Sequence, residues 1–145
     1  MLKLSKKADY ALIAVRHLAA HSEEQSHSAS DIAEAYGISA TLLAKVLQRL
    51  AKQGVVTARH GSSGGYQLAR HPSAISALEV ISAVDGPLMI TSCTTSHGSC
   101  EQSTTCTVRG PLRKVNESIA QVLRAITISQ MTEEAPEAEL VGLTT

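Results

Sequence analysis

Ser28-Ala-Ser-Asp31-Ile-Ala-Glu-Ala-Tyr36-Gly37-Ile-Ser39-Ala-Thr41-Leu-Leu-Ala-Lys45-Val-Leu-Gln-Arg49-Leu-Ala-Lys52-Gln-Gly54 decides the fold. Ser28 followed by Asp31 has the spacing of a capping box, which opens a short helix over Asp31–Tyr36. Gly37 supplies the sharp turn that ends it. Ser39 caps a second helix that runs to Gln53 and stops at Gly54. Helix, tight glycine turn, helix is the helix-turn-helix pattern.

The second helix separates two faces. Leu43, Val46, Leu47 and Leu50 recur at helical spacing and form its buried side. Ser39, Thr41, Lys45, Gln48, Arg49 and Lys52 are left outside. Small hydroxyl residues at a helix N-terminus allow close approach to a major groove, and the three cations suit phosphates. An ordinary solvated face has the same composition, so this helix alone decides nothing. The adjoining segment favours nucleic acid. Val55–His60 and Gly65–Arg70 read as two short strands joined by Gly61-Ser-Ser-Gly64, a hairpin placed as a wing. Arg59, His60, Ser62 and Ser63 are its candidate contacts to a minor groove or its phosphates. A phosphate-binding loop is disfavoured, because no Lys-Ser/Thr comes after the glycines and the next element is a strand, not a helix.

Working outward, Ser5–His21 forms a first helix with Leu4, Ala8, Ala11, Leu12, Val15 and Leu18 on one face. Beyond Pro72, Ser76 and Glu79 predict another capping box, with Ile75 and Val80 as its hydrophobic staple, opening a helix over Ala77–Val84. Gly110-Pro111 starts a long helix whose Leu112, Val115, Ile119, Val122 and Ile126 step by three and four. This stripe predicts a homodimer through the 111–126 helix. The expected architecture is mainly α with a small β-hairpin: a winged helix-turn-helix (1–72), a connecting helix and cysteine-rich loop (73–107), a dimerisation helix (108–131) and an acidic tail (132–145).

At 145 residues and 43% hydrophobic, the chain supports one compact domain. Its zero net charge hides an asymmetry: residues 1–72 carry nine Lys/Arg against five Asp/Glu (+4), and residues 73–145 carry four against eight (−4). The basic half is the candidate polyanion binder. The opening lacks an unbroken apolar core, so neither signal peptide nor membrane span is expected and the location reads as cytoplasmic. No nucleophile–base–acid constellation is recognisable, which argues against an enzyme.

All three cysteines, Cys93, Cys100 and Cys106, fall in one fourteen-residue Ser/Thr/Gly-rich loop. An odd number of thiols in a reducing compartment argues for a metal or redox role over a disulfide framework. Zinc, copper(I) and iron-sulfur centres all take thiolates.

The chain resembles the bacterial winged-helix iron-sulfur regulators typified by IscR, NsrR and RirA. The likeness covers about residues 1–132 and rests on Leu4-Ser-Lys-Lys-Ala-Asp-Tyr-Ala, Asp31-Ile-Ala, Gly37-Ile-Ser39, Leu50-Ala-Lys-Gln-Gly-Val-Val, Gly64-Gly-Tyr-Gln-Leu-Ala, Val80-Ile-Ser-Ala-Val-Asp-Gly-Pro and the three cysteines. Cys100-Glu, Cys106-Thr-Val-Arg and Thr127-Ile look most like the branch regulating SUF-type iron-sulfur assembly genes. The resemblance implies a two-iron or four-iron cluster on Cys93, Cys100 and Cys106 and a homodimer on double-stranded promoter DNA. It further implies repression of iron-sulfur assembly or iron, redox or nitric oxide stress genes, with cluster status altering operator affinity. Some members place a histidine ligand three residues after the last cysteine; here Arg109 stands there and cannot ligate. Others use an aspartate near the start of the first helix, from the partner subunit, and Asp9 occupies that place; His97 and Glu101 are local alternatives. The family's arginine just before the wing glycine is replaced by His60, with Arg59 one residue earlier. A zinc-structured DNA-binding module and a small iron-sulfur electron carrier are the competing readings.

Overall fold

The computed structural model describes residues 4–21, 26–61, 64–89 and 108–133. Its elements are α1 (Lys6–Ala20), α2 (Ala29–Tyr36), α3 (Ala40–Lys52), β1 (Val56–Arg59), β2 (Gly65–Leu68), a 3-10 turn at Pro72–Ala74, α4 (Ala77–Asp85), α5 (Arg109–Ala125) and α6 (Ile128–Glu133). The architecture is mainly helical, with one antiparallel hairpin in which Val56 faces Leu68 and Arg59 faces Gly65.

Local chemistry sets most boundaries. Ser28 and Asp31 form a reciprocal capping box, and α2 begins two residues before Asp31 because the box encloses Ala29 and Ser30. Gly37, at φ 66°, closes α2 in a left-handed conformation that a β-carbon would strain. Ser39 caps α3 by accepting the Leu42 N–H at 3.4 Å. At α4 the expected box is half realised. Ser76 accepts the Glu79 N–H at 3.1 Å, while the Glu79 carboxylate pairs with the Arg70 guanidinium, a stronger partner than a neutral N–H.

One apolar core runs through the chain. Ala8, Ala11, Ala14 and Val15 of α1 meet Leu43, Leu47 and Leu50 of α3, together with Ile32, Ile75, Val80, Ile81 and Ile128. The alanines let helices approach closely, and α1 packs against α3, α4 and α6.

The stretch read as one helix over 108–131 is two. Thr127 and Gln130 form a reciprocal cap, each side chain accepting the other's backbone N–H at 3.2 and 2.9 Å, and this starts a new helix. Ile128 is wholly buried, and Arg16 of α1 donates to the Met131 carbonyl at 3.1 Å, so α6 folds back onto α1. On α5, Val115 and Val122 stay 45% and 61% exposed, and Ile126, just past its end, is exposed as well. The acidic tail beyond 133 lies outside the described residues.

The wing is seated by a close backbone approach. His27 and Tyr66 exchange backbone hydrogen bonds at 3.1 and 2.7 Å, and a β-carbon on Gly65 would lie 2.5 Å from the His27 carbonyl. Gly65→Ala is therefore expected to cost about 1–3 kcal/mol, read as a lower urea midpoint at unchanged slope. An unchanged midpoint would show that the 26–28 segment yields freely.

Candidate functional site

The outward side of α3 is as the spacing predicts: Ser39, Thr41, Lys45, Gln48, Arg49 and Lys52 all lie outside its buried face, which is made by Leu43, Val46, Leu47 and Leu50. The hydroxyl of Ser39 serves the helix cap, and Thr41 lies in the first turn. The amide-rich end of α3 is thus presented with small side chains around it, a geometry suited to a phosphate or base edge.

The wing stands after α3 in the chain. Strand alternation puts Arg59 and Thr57 on the face away from buried Val56, so Arg59 points outward on the last residue of β1. His60 is next and is exposed. Ser62 and Ser63, the remaining wing candidates, lie outside the described residues.

Sequence reasoning missed Lys7. It lines a cleft of about 360 Å³ with Lys45, Arg49 and Lys52 of α3, closed by Val84 from α4. Four cations from two helices thus border one concave surface, and opposing it no carboxylate lines the cleft. A signal was present in the sequence: Lys6 and Lys7 occupy the first turn of α1, where the macrodipole disfavours positive charge, and an unfavourable local choice calls for a compensating purpose.

Cys93, Cys100 and Cys106, with His97 and Glu101, lie outside the described residues, which bracket their segment at 89 and 108. Both brackets are held. The Ser5 hydroxyl lies within hydrogen-bond distance of both carboxylate oxygens of Asp85, at 2.8 and 2.7 Å, just before Gly86-Pro87. The Asn116 side chain of α5 donates to the Leu88 carbonyl at 2.9 Å. Asp9 is exposed in the first turn of α1, its N–H bonded to the Ser5 carbonyl at 3.1 Å. Arg109 is the first residue of α5. Among the described residues no three His, Cys, Asp or Glu side chains are arranged to hold a metal ion.

A family model described as iron-dependent transcriptional regulators, Rrf2, matches residues 4–134. The chain belongs to the Rrf2 family. It is 34% identical over 132 residues to the HTH-type transcriptional regulator IscR of Xenorhabdus nematophila, covering 91% of this chain and 80% of that one. IscR of Klebsiella pneumoniae is 32% identical over 97% of this chain and 86% of its own. Among solved structures, IscR of T. potens aligns with a TM-score of 0.72 at 30% identity over 96% of both chains. CymR, the global cysteine regulator of B. subtilis, aligns with a TM-score of 0.72 at 27% identity over 91% of this chain and 97% of that one. These Rrf2 relatives are regulators of transcription, not enzymes, and this chain is an IscR-like, DNA-binding winged-helix regulator. No helix among its described residues is long and apolar enough to cross a membrane.

In this Rrf2 chain Lys7→Ala is expected to weaken duplex binding uniformly across sequences and to lower the slope of log affinity against log salt by about one. An unaltered slope would place Lys7 off the phosphate path.

Proposed function

We propose that this chain is a homodimeric repressor whose affinity for promoter DNA is set by an iron-sulfur cluster on Cys93, Cys100 and Cys106. The donor set fits such a group: three soft thiolates within fourteen residues, with the carboxylate of Asp9 from the other copy as the fourth ligand. When bound, the cluster supplies a centre sensitive to oxidants. Zinc on the same thiolates is the competing occupant.

The observation that carries the coupling is the hydrogen bond that the Ser5 hydroxyl donates to the Asp85 carboxylate. It joins the first turn of α1, which holds Asp9 and Lys7, to the end of α4 from which the cysteine segment departs. α1 packs directly on α3. A change in how the 90–107 segment is held therefore reaches the reading surface through one short polar link and one packed helix, without a long relay. The same link sets the position of Lys7 beside Lys45 and Arg49. Ser39, Thr41, Lys45, Arg49 and Lys52 then engage the major groove and its phosphates, and Arg59, with His60, Ser62 and Ser63, the adjacent minor groove. The exposed stripe of α5 is what a second copy covers, and it places two reading heads on a two-fold site.

Anaerobic purification is expected to yield a coloured protein containing iron and sulfide, whose operator affinity at one fixed salt concentration differs roughly five- to 150-fold from that of the apo dimer. Equal affinities overturn the switch, and a colourless, iron-free product after anaerobic reconstitution assigns the thiolates to zinc. Asp85→Ala, which removes the acceptor of the Ser5 hydroxyl, should shrink the difference between the two forms while iron content stays constant. A separate expectation concerns assembly: Val115→Glu with Val122→Glu should give a monomer by light scattering, since burying like charges across a two-fold axis is unfavourable.

A further inference from the structure

We infer that the protein carries a second ligand site, a polar pocket beneath the wing that takes a small carboxylate or phosphate anion. The cavity, about 470 Å³, lies between the C-terminal end of α1, strand β2, the 3-10 turn and α6. That volume is in the range of small-molecule sites. The lining brings together one guanidinium, Arg70, and three imidazoles, His21, His27 and His71, and Glu133 is the single carboxylate among the lining residues.

Two of these groups are held in place by their neighbours. His71 Nδ1 accepts the Ser73 N–H at 3.1 Å and lies 2.7 Å from the Ser73 hydroxyl, which fixes the ring at the start of the 3-10 turn. Arg70 is held by bonds to the Ala74 carbonyl and the Glu79 carboxylate, and these leave N–H donors of its five-donor fork unspent. A guanidinium and an imidazole that line one cavity are the donor types that bind an oxyanion.

The pocket touches the wing through Tyr66, Gln67 and Leu68, and it reaches the turn before α3 through a chain of rings. The ring of His21 stacks on that of His17 at 4.3 Å between centroids, and His17 Nδ1 is 2.9 Å from the Tyr36 hydroxyl, one residue before the Gly37 turn into α3. His27 is paired with Tyr66 of β2 through both backbone hydrogen bonds. A ligand bearing on His21 and His27 therefore acts on the turn before α3 and on the wing together, as an effector would.

Calorimetric titration of the full chain with inorganic phosphate, succinate and citrate, without DNA and at constant ionic strength, tests the site independently of the cluster. At least one probe should bind once per chain, weaken about tenfold or more in His71→Ala and in His21→Ala, and tighten in Glu133→Gln. A gain in Glu133→Gln cannot arise from misfolding. The Lys45→Ala/Arg49→Ala protein should bind the probe as well as the unmodified chain. The inference is overturned if none of the three probes saturates by about 10 mM, or if binding is lost in the Lys45/Arg49 variant and kept in His71→Ala, which would put the anion on the DNA-reading face.

Discussion

Two backbone hydrogen bonds tie the start of α4 to the junction between α5 and α6: Ala77 N–H to the Ile126 carbonyl at 2.8 Å and Ile128 N–H to the Ile75 carbonyl at 2.9 Å. Each is worth only about 1 kcal/mol net. Their weight comes from what they align. Ile75 and Ile128, both wholly buried, sit at this junction, and burying each contributes roughly 1.5–3 kcal/mol. The junction makes α5 leave the body at a fixed point, while α6 returns to α1 and is fastened there by Arg16. The helix that presents the apolar stripe is thus tied to the same core that supports the recognition helix.

That shared core explains why α3 can divide its surface so sharply. Its leucines and Val46 anchor it from behind, so its front needs no packing of its own and can be given over to charge. Among the described residues the ion pair is Arg70–Glu79, set back at the base of α4, and it does not draw on the cations of α3. Those cations remain available for a polyanion, and Lys7 is added from a helix whose own dipole opposes it. Asp9, one turn in, relieves part of that local cost.

Most of the fold was legible because its signals are short-range. The Ser28 box, the Gly37 turn, the Ser39 cap and the face of α3 all depend on partners within four residues. The break at Thr127 is equally local, a Thr-Ile-Ser-Gln cap, yet the apolar stripe of Ile119, Val122 and Ile126 points to one continuous helix and conceals it. Glu79 shows the opposite limit: its spacing from Ser76 predicts a cap, and a guanidinium brought near by the hairpin displaces that bond. Lys7 meets α3 only through tertiary packing. The histidines read as scattered along the sequence, but helical spacing joins His17 to His21 and the His27–Tyr66 bridge brings a third ring within 5.0 Å of His17. No spacing rule links positions 21 and 27 to 66.

In the proposed cluster, the position of the fourth ligand decides which helix feels the cysteine segment. A ligand at 109 would load the first residue of α5, the helix whose apolar stripe faces outward. Arg109 cannot serve, and giving that role to Asp9, as proposed, would transfer the load to α1. The difference is mechanical. α5 packs on α4, whereas α1 packs on α3 directly, carries Lys7 into the same cleft, and is fastened by Ser5 to the residue before Gly86-Pro87. With Asp9 as ligand, each subunit's cysteine segment would bear on the first helix of the other, so the state of one segment would set the reading face of its partner and the two halves of a two-fold site would respond together.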